Sequence, residues 1–108
     1  MKNINYHFTE GDIKAITYAM EIIPVYNFME AKEELDISYA LTVSTGPKLI
    51  LHQQLNDKEI CYIALSIDCA YKALRNEMTL EAEALTGLQP YMFIINKLHP
   101  IFSPLLEI

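Results

Sequence analysis

Tryptophan is missing from this 108-residue chain, arginine occurs once, at Arg75, and glycine only at Gly11, Gly46 and Gly87. Each scarcity excludes something. Three dispersed glycines cannot form the clustered loop that cradles a phosphate, and no GxGxxG, P-loop, GxSxG or HExxH pattern is present. One arginine and an excess of 14 acidic over 8 basic residues leave no basic arm or stripe, so direct nucleic-acid binding is not expected. The acids are evenly spread, and a net charge of −6 of this kind serves solubility. Long apolar runs are also missing. Tyr91 to Ile108 comes nearest, and Lys97, Pro100, Pro104 and Glu107 divide it, so no membrane span is expected. The opening residues Met1 to His7 hold no apolar core, so no secretory leader is expected.

Cysteine is limited to Cys61 and Cys69. Eight residues of helix rise about 12 Å, beyond the roughly 4.4–6.8 Å a disulfide tolerates between Cα atoms. Two free thiols fit a reducing compartment, and the expected localisation is cytoplasmic.

What is present is helix grammar. Thr9 can accept hydrogen bonds from the first turn of a helix, Asp12 sets a carboxylate at its positive end, and Phe8 can staple onto Ile13. Asn56 repeats the arrangement, with Glu59 at the capping-box position and Leu55 placed to pack on Ile60. From Thr9 the stripe Ile13, Ile16, Met20, Ile23 predicts a helix that ends near Pro24 or kinks there and resumes through Phe28 and Ala31. From Asn56 the stripe Ile60, Ile63, Ala64, Ile67, Tyr71, Leu74 predicts a helix closing near Asn76. A third starts at Thr79 and carries Leu85, Leu88, Met92, Ile95 and Leu98; Gly87 and Pro90 break it into two short helices or one interrupted one. Residues 8–21 laid over 55–68 match only at Ile13/Ile60 and Ile16/Ile63, which shared helix-start rules produce, so no repeat is inferred.

Asp36 to Leu55 has a different period. Ile37, Tyr39, Leu41 and Val43 alternate with smaller residues, as do Leu49, Leu51, Gln53 and Leu55, around the breaker cluster Ser44-Thr45-Gly46-Pro47. This is a hairpin signal. Ile4, Tyr6 and Phe8 could add a third short strand. Two valines against 13 leucines lean toward helix instead. The expected fold is therefore α+β, three to four helices packed on a small antiparallel hairpin or sheet, as one domain over residues 1–108. An all-α helical bundle is the alternative.

Candidate chemistry is sparse. His7, His52 and His99 are isolated, with no second ligand at helical spacing, so no metal is expected. Cys61 with His52 is the one nucleophile–base pair that can be drawn, and a packed thiol is the simpler reading. Glu33/Glu34 and Glu81/Glu83 read as solvated surface. Asp68 is the only charge between Glu59 and Lys72, and an ordinary i,i+4 pair with Lys72 accounts for it. Its helix nevertheless carries a second apolar stripe of Tyr62, Leu65 and Cys69, which predicts burial on two sides, as a central helix or at a subunit interface. Seven tyrosines suit protein contact, and the apolar run Tyr91 to Phe102 must dock on its own core, on a twin subunit or on another protein.

The expected function is that of a small acidic, non-enzymatic cytoplasmic protein acting through protein–protein contact as a homodimer. Its candidate contact residues are Tyr62, Leu65, Cys69, Tyr91, Phe93 and Phe102. Two alternatives stand beside it. One is an acidic inhibitor of immunity type, covering a basic nuclease or DNA-binding surface with Glu30, Glu33, Glu34, Asp36, Glu81 and Glu83. The other is a small-ligand site or enzyme built on Cys61 and His52. No cofactor is implied.

Overall fold

Thr9 and Asp12 open the first helix as a reciprocal pair. The Asp12 N–H donates to Thr9 Oγ1 at 3.1 Å, and the Thr9 N–H donates to Asp12 Oδ2 at 3.0 Å. The resulting helix, α1, covers Glu10–Asn27 and runs through Pro24 rather than stopping before it. Phe8, expected to staple onto Ile13, stacks on the Phe102 ring with centroids 5.8 Å apart. The computed structural model describes residues 8–27 and 32–107. The continuation through Phe28 and Ala31 and the third strand through Ile4 and Tyr6 lie outside the described residues.

After α1 come α2 (Lys32–Ile50), α3 (Asp57–Leu74), α4 (Ala82–Leu88) and α5 (Met92–Phe102), with a 3-10 turn at Gln89–Tyr91 and another at Ser103–Glu107. The described residues contain no strand, and the expectation of an α+β fold is overturned. The protein is a helical bundle, the alternative weighed beside it.

Residues 36–50 explain the error. Alternation is strand evidence only if one set of residues is buried. Here Ile37, Tyr39 and Val43 face solvent, and Leu41 alone of that run packs against the core. Read at the helical period, Leu41, Thr45 and Leu49 recur every four residues and point inward together. Gly46-Pro47 sits inside the helix instead of turning a hairpin. Pro47 supplies no N–H to the helix ladder, but its carbonyl still accepts from the Leu51 N–H at 2.9 Å.

α3 fulfils the expectation of a helix buried on more than one side. It packs against each of the other four helices and against the last 3-10 turn. Ile60, Ile63 and Ile67 fill the core, while Ala64, Ser66, Ala70 and Ala73 are small enough for neighbouring helices to come close. Its start is a complete capping box: the Glu59 N–H donates to Asn56 Oδ1 at 2.8 Å, and the Asn56 N–H to Glu59 Oε1 at 2.9 Å.

Between α4 and α5 the chain tightens at Pro90, so the expected single stripe breaks as two short helices. The 3-10 turn advances the phase faster than an α-helix does. Leu88, Ile95 and Leu98 remain buried, but Met92 rotates out to solvent. The apolar C-terminal run thus docks on its own core through Ile95, Leu98 and Phe102.

Candidate functional site

Of the six candidate contact residues, two belong to the interior. Phe102 is fully buried. Tyr62 is buried too, and its hydroxyl donates to the Met20 carbonyl at 2.9 Å with Thr42 Oγ1 3.2 Å away. Tyr91 is half-buried against Tyr18, ring centroids 5.5 Å apart. Cys69 is half-buried, and burial together with the Asp68 charge pushes its thiol up, away from the reactive thiolate. The remaining two reach the surface, Leu65 at 43% exposure and Phe93 at 84%, on different helices. Leu65 borders a shallow apolar hollow of about 380 Å³ between α2 and α3, together with Leu41 and Cys61.

Three carboxylates are drawn inward and tied. Asp12 meets Lys97 Nζ at 2.7 Å, which fastens α1 to α5. Glu59 meets Lys48 Nζ at 2.7 Å and accepts from Ser44 Oγ at 2.9 Å, which fastens α3 to α2. Asp68 meets Lys72 Nζ at 3.0 Å and His99 Nε2 at 3.0 Å, which fastens α3 to α5. Burial alone would raise each carboxyl, but the opposing hydrogen bonds and charges outweigh it and hold all three below the usual range. The His99 ring stacks on Tyr71 at 3.7 Å, and Arg75 donates to the Tyr71 hydroxyl at 2.7 Å. An Asp–His pair resembles the orienting half of a catalytic triad. Among the described residues no hydroxyl or thiol bonds the His99 ring, so the pair serves here as a clamp between helices.

His52 and Cys61 line different hollows. Cys61 borders the hollow between α2 and α3, whereas His52 lines a larger one beside α1. His52 is instead the residue that ends α2. Its φ is 54°, its N–H reaches the Leu49 carbonyl at 3.3 Å, and the Gln53 N–H reaches the Lys48 carbonyl at 2.8 Å. Those two bonds form a Schellman motif, with histidine where glycine is usual. Among the described residues no group of three His, Cys, Asp or Glu side chains could hold a metal ion. The acidic surface that the inhibitor reading needs falls partly on Glu30, Glu33 and Glu34, whose side chains lie outside the described residues.

The feature that sequence reasoning missed is the outward face of α2. Tyr39 is 72% exposed, Val43 56% and Ile50 64%. With Gly46 these residues span about 60° of helical arc, at 100° per residue. A Cβ added at Gly46 would meet nothing within 4 Å, so the position is an open notch in the stripe. The spacing 39, 43, 46, 50 is that of a coiled-coil seam. It was legible, but only once residues 36–50 were read as helix.

No family model, curated protein or solved structure matches this chain. No helix among the described residues is long and apolar enough to cross a membrane. What the site can do rests on its own geometry: an apolar seam turned to solvent.

Proposed function

We propose that the protein works through protein–protein contact as a homodimer paired across the outer face of α2. The exposed seam Tyr39–Val43–Gly46–Ile50 carries this reading. Contiguous apolar surface on one helix face marks an interaction site more often than scattered apolar residues do. The order of side chains favours a copy of the same chain. In an antiparallel two-fold pairing centred between Val43 and Gly46, Tyr39 lies across from Ile50 of the partner. Val43 then lies across from the partner's Gly46, a side chain facing an open notch. Large meets small twice, as an isologous contact requires. A parallel pairing sets Gly46 against itself and leaves a gap. The seam extends about 16 Å along the axis, at 1.5 Å per residue. An acidic, non-enzymatic adaptor or scaffold of the cytoplasm is the role these features suit.

Sedimentation equilibrium tests the proposal. The native chain is expected to dimerise at micromolar concentration, and Val43→Glu to be monomeric with an unchanged circular dichroism spectrum. Phe93→Ser is expected to leave the dimer intact. A native chain that stays monomeric at hundreds of micromolar defeats the proposal, and a dimer abolished by Phe93→Ser alone moves the contact to α5.

A further inference from the structure

The larger hollow, about 670 Å³, lies beside α1 and reaches Ile50, at the end of the α2 seam, and His52 just beyond it. Its volume falls within the roughly 300–1,000 Å³ of small-ligand sites. Phe8, Tyr18, Tyr91 and Ile13 supply its apolar lining. Tyr18 is held by its surroundings: a Cβ added at Gly87 would overlap the Tyr18 hydroxyl and ring, so the ring occupies the space that glycine leaves. Tyr91 then leans on Tyr18 with the ring planes 35° apart. The aromatic wall is therefore formed before any ligand arrives.

The rest of the rim combines a polar stripe of α1, Glu10, Lys14, Thr17 and Glu21, with Ile50 and His52 from the end of α2. Lys14 pairs with Glu10 at 3.6 Å, so that their charges cancel. Glu21 also lines the hollow and has no ion-pair partner among the described residues. An apolar wall with electron-rich ring faces, beside one unmatched carboxylate, suits an apolar body bearing a positive charge.

We propose that this hollow is a binding site for small aromatic or alicyclic amines, the ring lying on Tyr18, Tyr91 and Ile13 and the ammonium directed to Glu21. Neutral ring compounds share the apolar contact and lack the charge term. Anionic ones meet Glu21 as a repulsion.

The test is an NMR titration of the full chain with three probes of one shape, 1-naphthylmethylamine, 1-naphthylmethanol and 1-naphthoate. The amine is expected to shift the Ile13, Thr17 and Tyr18 signals saturably. At low salt it should bind about three- to fivefold tighter than the alcohol, the scale of one solvent-exposed ion pair. Salt is expected to narrow that gap. Glu21→Gln, a change at an exposed position, should bring amine and alcohol to equal affinity while the alcohol's own affinity stays unchanged. Thr17→Phe should fill the hollow and abolish binding of all three, with native circular dichroism as the control for folding. Equal affinity of amine and alcohol for the native chain overturns the proposal, as does saturation at residues away from the hollow or no saturable shift at all. A preference for the amine that survives in Glu21→Gln overturns the assignment of Glu21.

Discussion

Two helices of nearly equal length, α2 with 19 residues and α3 with 18, use their apolar side chains in opposite ways. α3 is enclosed, and its isoleucines fill the core while its alanines give the neighbouring helices room. α2 packs one narrow side, Leu41, Thr45 and Leu49, and turns Tyr39, Val43 and Ile50 outward. Burial therefore depends on how many neighbours an element has more than on how apolar it is. A helix at the centre of the bundle expresses its apolar content as stability. One at the edge leaves the same kind of residue in water.

The largest expected effect compares those two uses directly. Ile63, fully buried in α3, should cost about 3 kcal/mol when truncated to alanine, since both transfer energy and packing are lost. Val43→Ala on α2 should cost less than about 0.5 kcal/mol in the monomer, because the side chain is already in water. Urea unfolding measures both. The comparison sharpens with concentration: if α2 pairs with its twin, the cost of Val43→Ala should grow as protein concentration rises, and that of Ile63→Ala should not.

A smaller effect separates buried from exposed charge. Glu59 is enclosed and bound to Lys48, Ser44 and the Asn56 N–H. Glu59→Gln should cost about 2 kcal/mol at neutral pH, less than a fully buried pair because Lys48 can return to water. Glu10→Gln breaks only an exposed pair and should stay within about 0.5 kcal/mol. The pH dependence carries the same contrast. The folded values of Asp12 and Asp68 lie below the ordinary 3.8, and that of Glu59 below 4.5. In acid the unfolded chain therefore binds protons first. The stabilisation is complete above those ordinary values and is lost as pH falls through them toward the lower folded ones. Glu59→Gln should flatten that acid decline.

Much of α3 was legible because its signals are local. Asn56 and Glu59 lie three residues apart and bond each other, and the isoleucine stripe follows directly. The burial of Glu59 against Lys48, and the clamp of His99 on Asp68, join residues 11 and 31 positions apart. No period within a helix announces such pairs, so Asp68 could be singled out but its second partner could not. α2 was misread for a different reason. Its apolar residues satisfy two periods at once, two and three-and-a-half, and what decides between them is which ones the rest of the chain covers. The candidate seam shared that fate, since Tyr39, Val43 and Ile50 align only on a helix.

The smallest expected effect concerns how these two helices end. Both close with Schellman motifs whose left-handed residue is not glycine, His52 after α2 with φ 54° and Asn76 after α3 with φ 60°. In α3 the Asn76 N–H reaches the Ala73 carbonyl at 3.1 Å and the Glu77 N–H the Lys72 carbonyl at 2.8 Å. A short polar side chain such as asparagine bonds locally and tolerates this region, whereas the histidine ring pays more of the roughly 1 kcal/mol penalty. Glycine removes the strain but frees the unfolded chain, which offsets about half of the gain. His52→Gly should thus stabilise the protein by about 0.5 kcal/mol, and Asn76→Gly should be close to neutral, both read by urea unfolding at one fixed protein concentration. His52→Val would separate backbone from side chain: a β-branched residue at φ 54° is strained, so it should lose more than about 1 kcal/mol. Stabilities of His52→Gly and His52→Val that matched would show that His52 acts through its ring, and the end of α2 would then owe nothing to left-handed strain.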